Sequence, residues 1–124
     1  MQIVLRNAAG QPIYEQIYHQ IKQAILTEDL QAGELLPSIR TLAKDLRVSV
    51  ITTKRAYDEL QKDGYIDAVA SRGFYVAENN TERIREAHIQ QIEGYLQKAI
   101  ALAPACGLSD TELADMLRAL QQEA

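Results

Sequence analysis

A basic segment in the middle of the chain could hold a polyanion. Residues 38–57 contain five Lys and Arg and one Asp, a net charge of +4, although the whole chain has a formal charge of −4. Lys and Arg bind phosphate through charge-assisted hydrogen bonds, and the local potential decides where a polyanion docks. The candidate contact residues in and near this segment are Arg40, Ser49, Val50, Ile51, Thr52, Lys54, Arg55, Arg72 and Gly73.

Two helices are predicted to position most of these side chains. Ser38 is expected to cap the first, because the apolar residues that follow it recur at helical spacing. After a tight connection, Ser49 is expected to cap the second. Its inward face is predicted to comprise Thr53, Ala56, Tyr57 and Leu60. The other side chains between residues 50 and 55 therefore lie elsewhere around the helix.

The flanking segments complete a winged helix-turn-helix. A helix is predicted over about residues 12–28, since Pro12 suits a first turn and isoleucines recur at helical spacing. Two short strands, 65–69 and 73–77, predict a hairpin with a basic tip. The predicted fold class is mainly α with a small β-hairpin, and residues 1–77 form the winged helix-turn-helix domain.

The last part of the chain is predicted to join two copies. Residues 78–124 carry apolar stripes on two helices, and two helices of this size cannot close an independent core. We expect them to pack against the same helices of a second copy and form a two-fold homodimer. Four basic and eight acidic residues give this segment its net charge of −4. At the other terminus, the apolar residues 2–5 are predicted to be a strand or a dimer arm.

Double-stranded DNA is the partner that fits these predictions. The major groove of B-form DNA is wide enough to admit a projecting helix. Arg40, Ser49, Lys54 and Arg72 are expected at phosphates, and residues 50–54 at base edges. A two-fold dimer would place its two helices about 34 Å apart, or a multiple of it, which predicts a pseudo-palindromic site and an affinity that falls with salt.

Five short motifs occur between residues 36 and 76: Pro37-Ser38-Ile39-Arg40-Thr41-Leu42-Ala43, Val48-Ser49, Thr52-Thr53-Lys54-Arg55-Ala56-Tyr57, Asp63-Gly64-Tyr65-Ile66 and Arg72-Gly73-Phe74-Tyr75-Val76. Through these motifs the run resembles the DNA-binding domain of the GntR family of bacterial transcription regulators. Residues 10–25 are similar to the first helix of its short YtrA subfamily, whose C-terminal part is only a pair of dimerisation helices. The resemblance implies a homodimeric repressor on a palindromic operator, often beside transporter genes.

Two positions depart from the family pattern. Val50 follows the turn serine where many relatives have Arg, and Ser71 stands where the family's wing often has its first Gly. If Val50 or Ile51 faces the groove, the contact it offers is apolar, for instance with a thymine methyl group.

Other function classes are not indicated. No Ser/His/Asp set or phosphate-cradling Gly loop is present, so we expect no enzymatic activity, cofactor or metal site. Cys106 is the single cysteine, and no apolar run approaches the ~20 residues that span a bilayer, which predicts a cytoplasmic protein without a membrane partner. If a small-molecule effector binds, we expect it at the dimer interface or near the linker at Asn79 and Asn80.

Two alternatives are open at this point. The winged helix could be a protein–protein interaction module that does not bind DNA, although the basic segment argues for DNA. Lys54 and Arg55 could also be solvated charges that pair with Asp58 or Glu59.

Overall fold

The computed structural model describes residues 1–7, 10–78 and 81–124. The linker residues Asn79 and Asn80, near which an effector was predicted, lie outside this description. The described chain forms two compact units, Met1–Ile84 and Arg85–Ala124. Its elements are α1 (Ile13–Leu26), α2 (Ile39–Leu46), α3 (Val50–Lys62), β1 (Ile66–Val69), β2 (Gly73–Val76), α4 (Thr81–Leu102), a 3-10 helix (Ala103–Cys106) and α5 (Asp110–Glu123).

The core of the first unit lies between α1, α2 and α3. The buried side chains follow the periodicity predicted from the sequence, and each leucine or isoleucine among them contributes about 1.5–3 kcal/mol when fully removed from water. They include Ile17, Ile21 and Ile25 of α1, Leu42 and Ala43 of α2, and Thr53, Ala56, Tyr57 and Leu60 of α3. This confirms the predicted inward face of α3, so the opposite face of that helix is turned to solvent.

The predicted hairpin is present, with each strand one residue shorter than expected. β1 and β2 pair antiparallel, with Ile66 opposite Val76 and Val69 opposite Gly73. The backbone before α2 extends this small sheet, because Leu36 N–H donates to the Phe74 carbonyl at 2.8 Å. Ser71 has a φ of +65° at the tip, a left-handed conformation that costs a non-glycine residue some strain.

The N-terminal segment is bound to α1 by two glutamine side chains. Residues 2–5 do not form the predicted strand. Instead, Gln20 accepts from the backbone N–H of Val4 at 2.8 Å and donates to its carbonyl at 2.7 Å. Gln16 does the same for Arg6, at 2.8 and 2.9 Å. Each amide replaces a neighbouring strand as the partner of the extended backbone.

The second unit comprises most of α4, the 3-10 helix and α5. Gly107 turns the chain with a φ of +75°, and Ser109 begins α5 with a capping box. In that box Glu112 N–H donates to Ser109 Oγ at 3.1 Å, while Ser109 N–H donates to the Glu112 carboxylate at 3.2 Å. In the described part of the chain, no helix is long and apolar enough to cross a bilayer.

Candidate nucleic-acid interface

A left-handed residue makes the turn between α2 and α3. Arg47 has a φ of +58°, and Val48 N–H donates to the Ala43 carbonyl at 3.0 Å. This closing bond is the one that ends many helices, although Gly is the usual residue at the left-handed position. The turn is therefore short, and it brings the start of α3 close behind the end of α2.

Both helices of the motif begin with the same serine–threonine pair. At α2, Thr41 N–H donates to Ser38 Oγ at 3.1 Å, and the two hydroxyls are 2.8 Å apart. At α3, Thr52 N–H donates to Ser49 Oγ at 3.0 Å, again with a hydroxyl–hydroxyl distance of 2.8 Å. Both predicted caps are thus present. Since Ser49 Oγ is already used twice within the helix, backbone N–H groups at this helix start are the better donors to an anion.

The outward face of α3 presents the predicted residues to solvent. Val50, Ile51, Lys54 and Arg55 are exposed, and Ile51 keeps 81% of its surface accessible. Thr52 is half-buried, because its hydroxyl is part of the cap. Val50 and Ile51 together place exposed apolar side chains beside the basic residues of this helix face, where they are free to contact a partner.

Lys54 and Arg55 are held in different ways. Lys54 Nζ lies 2.7 Å from Asp58 Oδ2, one helical turn further on. Arg55 stacks on an aromatic ring of α1, with its guanidinium carbon 3.8 Å from the centroid of the Tyr14 ring. Within the described residues, the charge of Lys54 is neutralised by a neighbouring carboxylate and that of Arg55 is not.

The other predicted residues come from α2 and from the hairpin. Arg40 is exposed on the first turn of α2, two residues after the Ser38 cap. Arg72 and Gly73 are exposed where the hairpin tip enters β2, and Gly73 has a φ of +114°. A side chain at residue 73 would be strained at that angle. Because glycine has none, the backbone there is open to close approach.

Tyr57 of α3 connects this helix to the start of α2 and to the hairpin. Its buried ring meets that of Phe74 edge-to-face, with centroids 5.1 Å apart, and its hydroxyl donates to the Pro37 carbonyl at 2.7 Å. Pro37 precedes the cap of α2, and Phe74 follows the hairpin tip. One side chain of α3 therefore fixes both the start of α2 and the wing. Burial raises the pKa of the Tyr57 hydroxyl, so it remains a donor at neutral pH.

The far end of α3 is anchored to α1 and to the first turn of α4. The Tyr18 hydroxyl donates to the Asp63 carboxylate, and burial, followed by this carboxylate, raises the pKa of Tyr18. Arg83 Nη1 donates to the Asp63 carbonyl at 2.6 Å. A cation near the last carbonyls of a helix is favourable, so these contacts stabilise the orientation of α3 within the first unit.

Two further residues belong to this surface although neither was among the predicted contact residues. Asp58 follows Ile51 by seven residues, which places it near the centre of the same exposed face. It was considered only as a possible partner of Lys54, and the structure confirms that pair. Tyr14 contributes through its contact with Arg55, and no local sequence signal predicts a contact between residues 41 positions apart.

Known proteins match both the sequence and the fold. The profile of the family described as "Bacterial regulatory proteins, gntR family" matches residues 13–76. The "HTH-type transcriptional repressor YtrA" of Bacillus subtilis is 31% identical over 90% of this chain and 86% of its own. A GntR family regulator from Listeria monocytogenes superposes with a TM-score of 0.71 at 30% identity, over 89% of this chain and 96% of that chain. The DNA-binding domain of AraR, solved with operator ORR3, gives 0.53 at 25% identity, over 62% and 93%.

Proposed function

We propose that this chain, which belongs to the gntR family of bacterial regulatory proteins, is a homodimeric repressor that binds a pseudo-palindromic operator. The family and its relatives are transcriptional regulators and not enzymes. The observation that carries the proposal is the division of α3 into two faces. One face is buried in the core, while the other is exposed, basic and centred on an exposed isoleucine.

The proposed complex places α3 in the major groove. Arg40, the start of α3 at Ser49, Lys54 and Arg55 contact phosphates and fix the register. Val50, Ile51 and Thr52 face base edges, where an apolar side chain recognises a thymine methyl group. Arg72 and Gly73 of the wing contact the minor groove or a phosphate. The DNA-binding domain of AraR was solved in complex with an operator, which supports operator binding by a domain of this fold.

A second copy of the chain is the proposed cover for the apolar surface of the second unit. α4 and α5 enclose an open groove of about 550 Å³ lined mainly by aliphatic side chains. Monomeric proteins rarely leave so many large apolar groups in water. The residues at least 43% exposed here include Ile92, Tyr95, Leu96, Ile100, Leu102, Met116, Leu117 and Leu120. Residues 78–124 are thus proposed to dimerise the chain and residues 1–77 to bind DNA.

The proposed setting is the bacterial cytoplasm, with a neighbouring transporter operon as the regulated target. An effector, if one binds, is proposed to act at the dimer interface. The target and the setting rest on the resemblance to the family, while the printed name of the Bacillus subtilis relative YtrA supports the repressor role alone.

Selection of duplexes from a random pool by the full-length chain tests the function directly. We expect the recovered sequences to contain two inverted half-sites, centred about 10 base pairs or a multiple apart. Binding should weaken steeply between about 50 and 200 mM salt. Recovery of no enriched sequence, with no salt-dependent binding to any duplex, would rule the proposal out.

Arg40→Ala provides the matched residue-level test. Loss of a guanidinium at a phosphate should weaken binding to every duplex by about tenfold and reduce the slope of log affinity against log salt by about 0.9 per engaged helix. Arg118→Ala is the control, because it removes the same charge from α5, where Arg118 faces Asp115 at 3.7 Å. Equal effects of the two changes in a gel-shift titration would mean that only net charge matters.

One observation favours a second candidate function, a protein–protein interaction module. Lys54 is paired with Asp58, and Ile51 is apolar and 81% exposed, a combination that a protein partner could also cover. The same selection separates the two functions, because a protein-binding module would enrich no duplex.

A further inference from the structure

We infer that Tyr14 is a positioning residue: its ring holds the Arg55 guanidinium in place for contact with a DNA phosphate. The inference rests on the proposed function and assigns part of the DNA-binding surface to α1. Its basis is the 3.8 Å distance between the Arg55 guanidinium carbon and the centroid of the Tyr14 ring.

The contact with the ring leaves the hydrogen-bonding groups of Arg55 available. A guanidinium has five N–H donors. The ring attracts the cation through its face, and among the described residues Arg55 donates no side-chain hydrogen bond to another protein group. Within the described residues Arg55 makes no ion pair, and its side chain is exposed. The Arg55 side chain is therefore oriented by the Tyr14 ring, while its charge is not neutralised by a carboxylate.

Lys54 provides the internal comparison. Its ammonium group donates to Asp58 at 2.7 Å, so contact with a phosphate requires this pair to share or exchange a partner. In the described part of the chain Arg55 forms no ion pair with a carboxylate, Glu59 included. A long side chain also loses conformational freedom when it binds, and a side chain already ordered by stacking loses less. Of these two adjacent basic residues, Arg55 therefore needs the smaller rearrangement to contact a phosphate.

Tyr14 is itself fixed by the fold. It lies in the first turn of α1, half-buried, and α1 packs its isoleucine face against α3. Its hydroxyl donates to Glu15 Oε1 at 3.2 Å, on the neighbouring residue of the same helix. The ring therefore makes the contact with Arg55, and the hydroxyl has a separate partner.

Four variants of the full-length chain test the inference: Arg55→Ala, Tyr14→Phe, Tyr14→Leu and the double change Tyr14→Leu with Arg55→Ala. The probes are a mixed-sequence duplex of about 30 base pairs and the duplex recovered by selection, each titrated over about 50–200 mM salt. Arg55→Ala should weaken binding about tenfold and lower the salt slope by about 0.9 per engaged helix. Tyr14→Phe keeps the ring and should bind like the parent. Tyr14→Leu should weaken binding about two- to fivefold, and should add nothing once Arg55 is absent.

A measurement on the free protein keeps the test decisive if Tyr14→Leu fails to fold. The ring should shift the NMR signals of the Arg55 side-chain protons upfield in the parent and in Tyr14→Phe. Ordinary shifts in both would overturn the inference, as would a Tyr14→Leu variant that folds and binds like the parent.

Other outcomes are equally distinct. If Tyr14→Phe loses as much affinity as Tyr14→Leu, the hydroxyl is the contact and the inference is wrong. If the parent binds duplex and Arg55→Ala binds equally well, the inference fails while the proposed function stands. If the parent binds no duplex, the proposed function itself fails.

Discussion

Asp58 introduces a negative charge into the surface proposed to meet DNA. It pairs with Lys54, and the two side chains remain 52% and 62% exposed. An exposed pair of this kind stabilises a helix by only about 0.3–0.5 kcal/mol. The order of the pair is also the less favourable one for a helix, because the basic residue Lys54 precedes the acidic residue Asp58. The pair thus contributes little to the stability of the fold, and in the proposed complex its main effect is on DNA binding.

Asp58→Asn should tighten binding to a mixed-sequence duplex by about threefold and steepen its salt dependence. The change removes a charge that repels phosphate and frees Lys54 to contact the backbone. Asp115→Asn is the matched control, because Asp115 faces Arg118 on α5. Gel-shift titrations over a salt series provide the measurement. Weaker binding by Asp58→Asn would instead indicate that the carboxylate accepts a hydrogen bond from a DNA base, and that the amide is a poor substitute for it.

At this scale the sequence predicted which residues are exposed but not how they are held. The spacing of Lys54 and Asp58 along one helix is enough to predict their pair, which was considered as an alternative. The contact of Arg55 with Tyr14 depends on how α1 crosses α3, and that angle is set by packing between distant segments. The same holds for the bond from Tyr57 to the Pro37 carbonyl.

Three helices of this chain begin with a serine whose hydroxyl accepts from the N–H three residues later. These are Ser38 of α2, Ser49 of α3 and Ser109 of α5. The caps are chemically alike, but only the first two lie in the helix-turn-helix motif. They therefore allow capping and DNA contact to be tested separately.

Ser49→Asp should leave the fold stable and weaken DNA binding at least tenfold. Asp is as good an N-cap as Ser, and a carboxylate interacts favourably with the helix dipole. The same charge lies where the proposed complex places a phosphate, so it repels the duplex. Thermal unfolding followed by circular dichroism and gel-shift titration measure the two effects. Ser109→Asp is the control and should change neither; parent-like binding by Ser49→Asp would exclude a phosphate at the start of α3.

Most helices and strands could be predicted because local signals mark their ends. The caps at Ser38 and Ser49 and the apolar spacing of α2 and α3 gave boundaries that the structure confirms. The N-terminal segment was less predictable, because it pairs with Gln16 and Gln20 rather than with another strand. Such a pairing requires α1 to be in place first, and an apolar run alone does not reveal it.

The whole chain separates its charges along its length. Residues 38–57 carry +4, while residues 78–124 carry −4. An acidic tail next to a polyanion would only oppose binding unless it has another task. The exposed aliphatic groups of α4 and α5 form a surface suited to a second copy, which is the task proposed for the tail. The proposed dimer would strengthen binding, because two weak half-site contacts would act together on one duplex.

Leu117→Glu tests this coupling between assembly and binding. Leu117 lines the groove between α4 and α5 and is 45% exposed, so a buried carboxylate there should prevent dimerisation. We expect the parent to sediment as a dimer at micromolar concentration and the variant as a monomer. Affinity for the duplex recovered by selection should fall about a hundredfold or more. The winged helix-turn-helix itself should remain folded, because its core lies in the other unit.

Ala101→Glu is the matched control for that change. Ala101 is exposed on α4 and does not line the groove, so this variant adds the same charge while leaving the apolar surface intact. It should sediment and bind like the parent. A parent that remains monomeric at micromolar concentration would contradict the proposed dimer. A Leu117→Glu variant that remains dimeric would show that another surface assembles the chain. If both glutamate variants lose affinity equally while their masses are unchanged, added negative charge explains the loss and assembly does not.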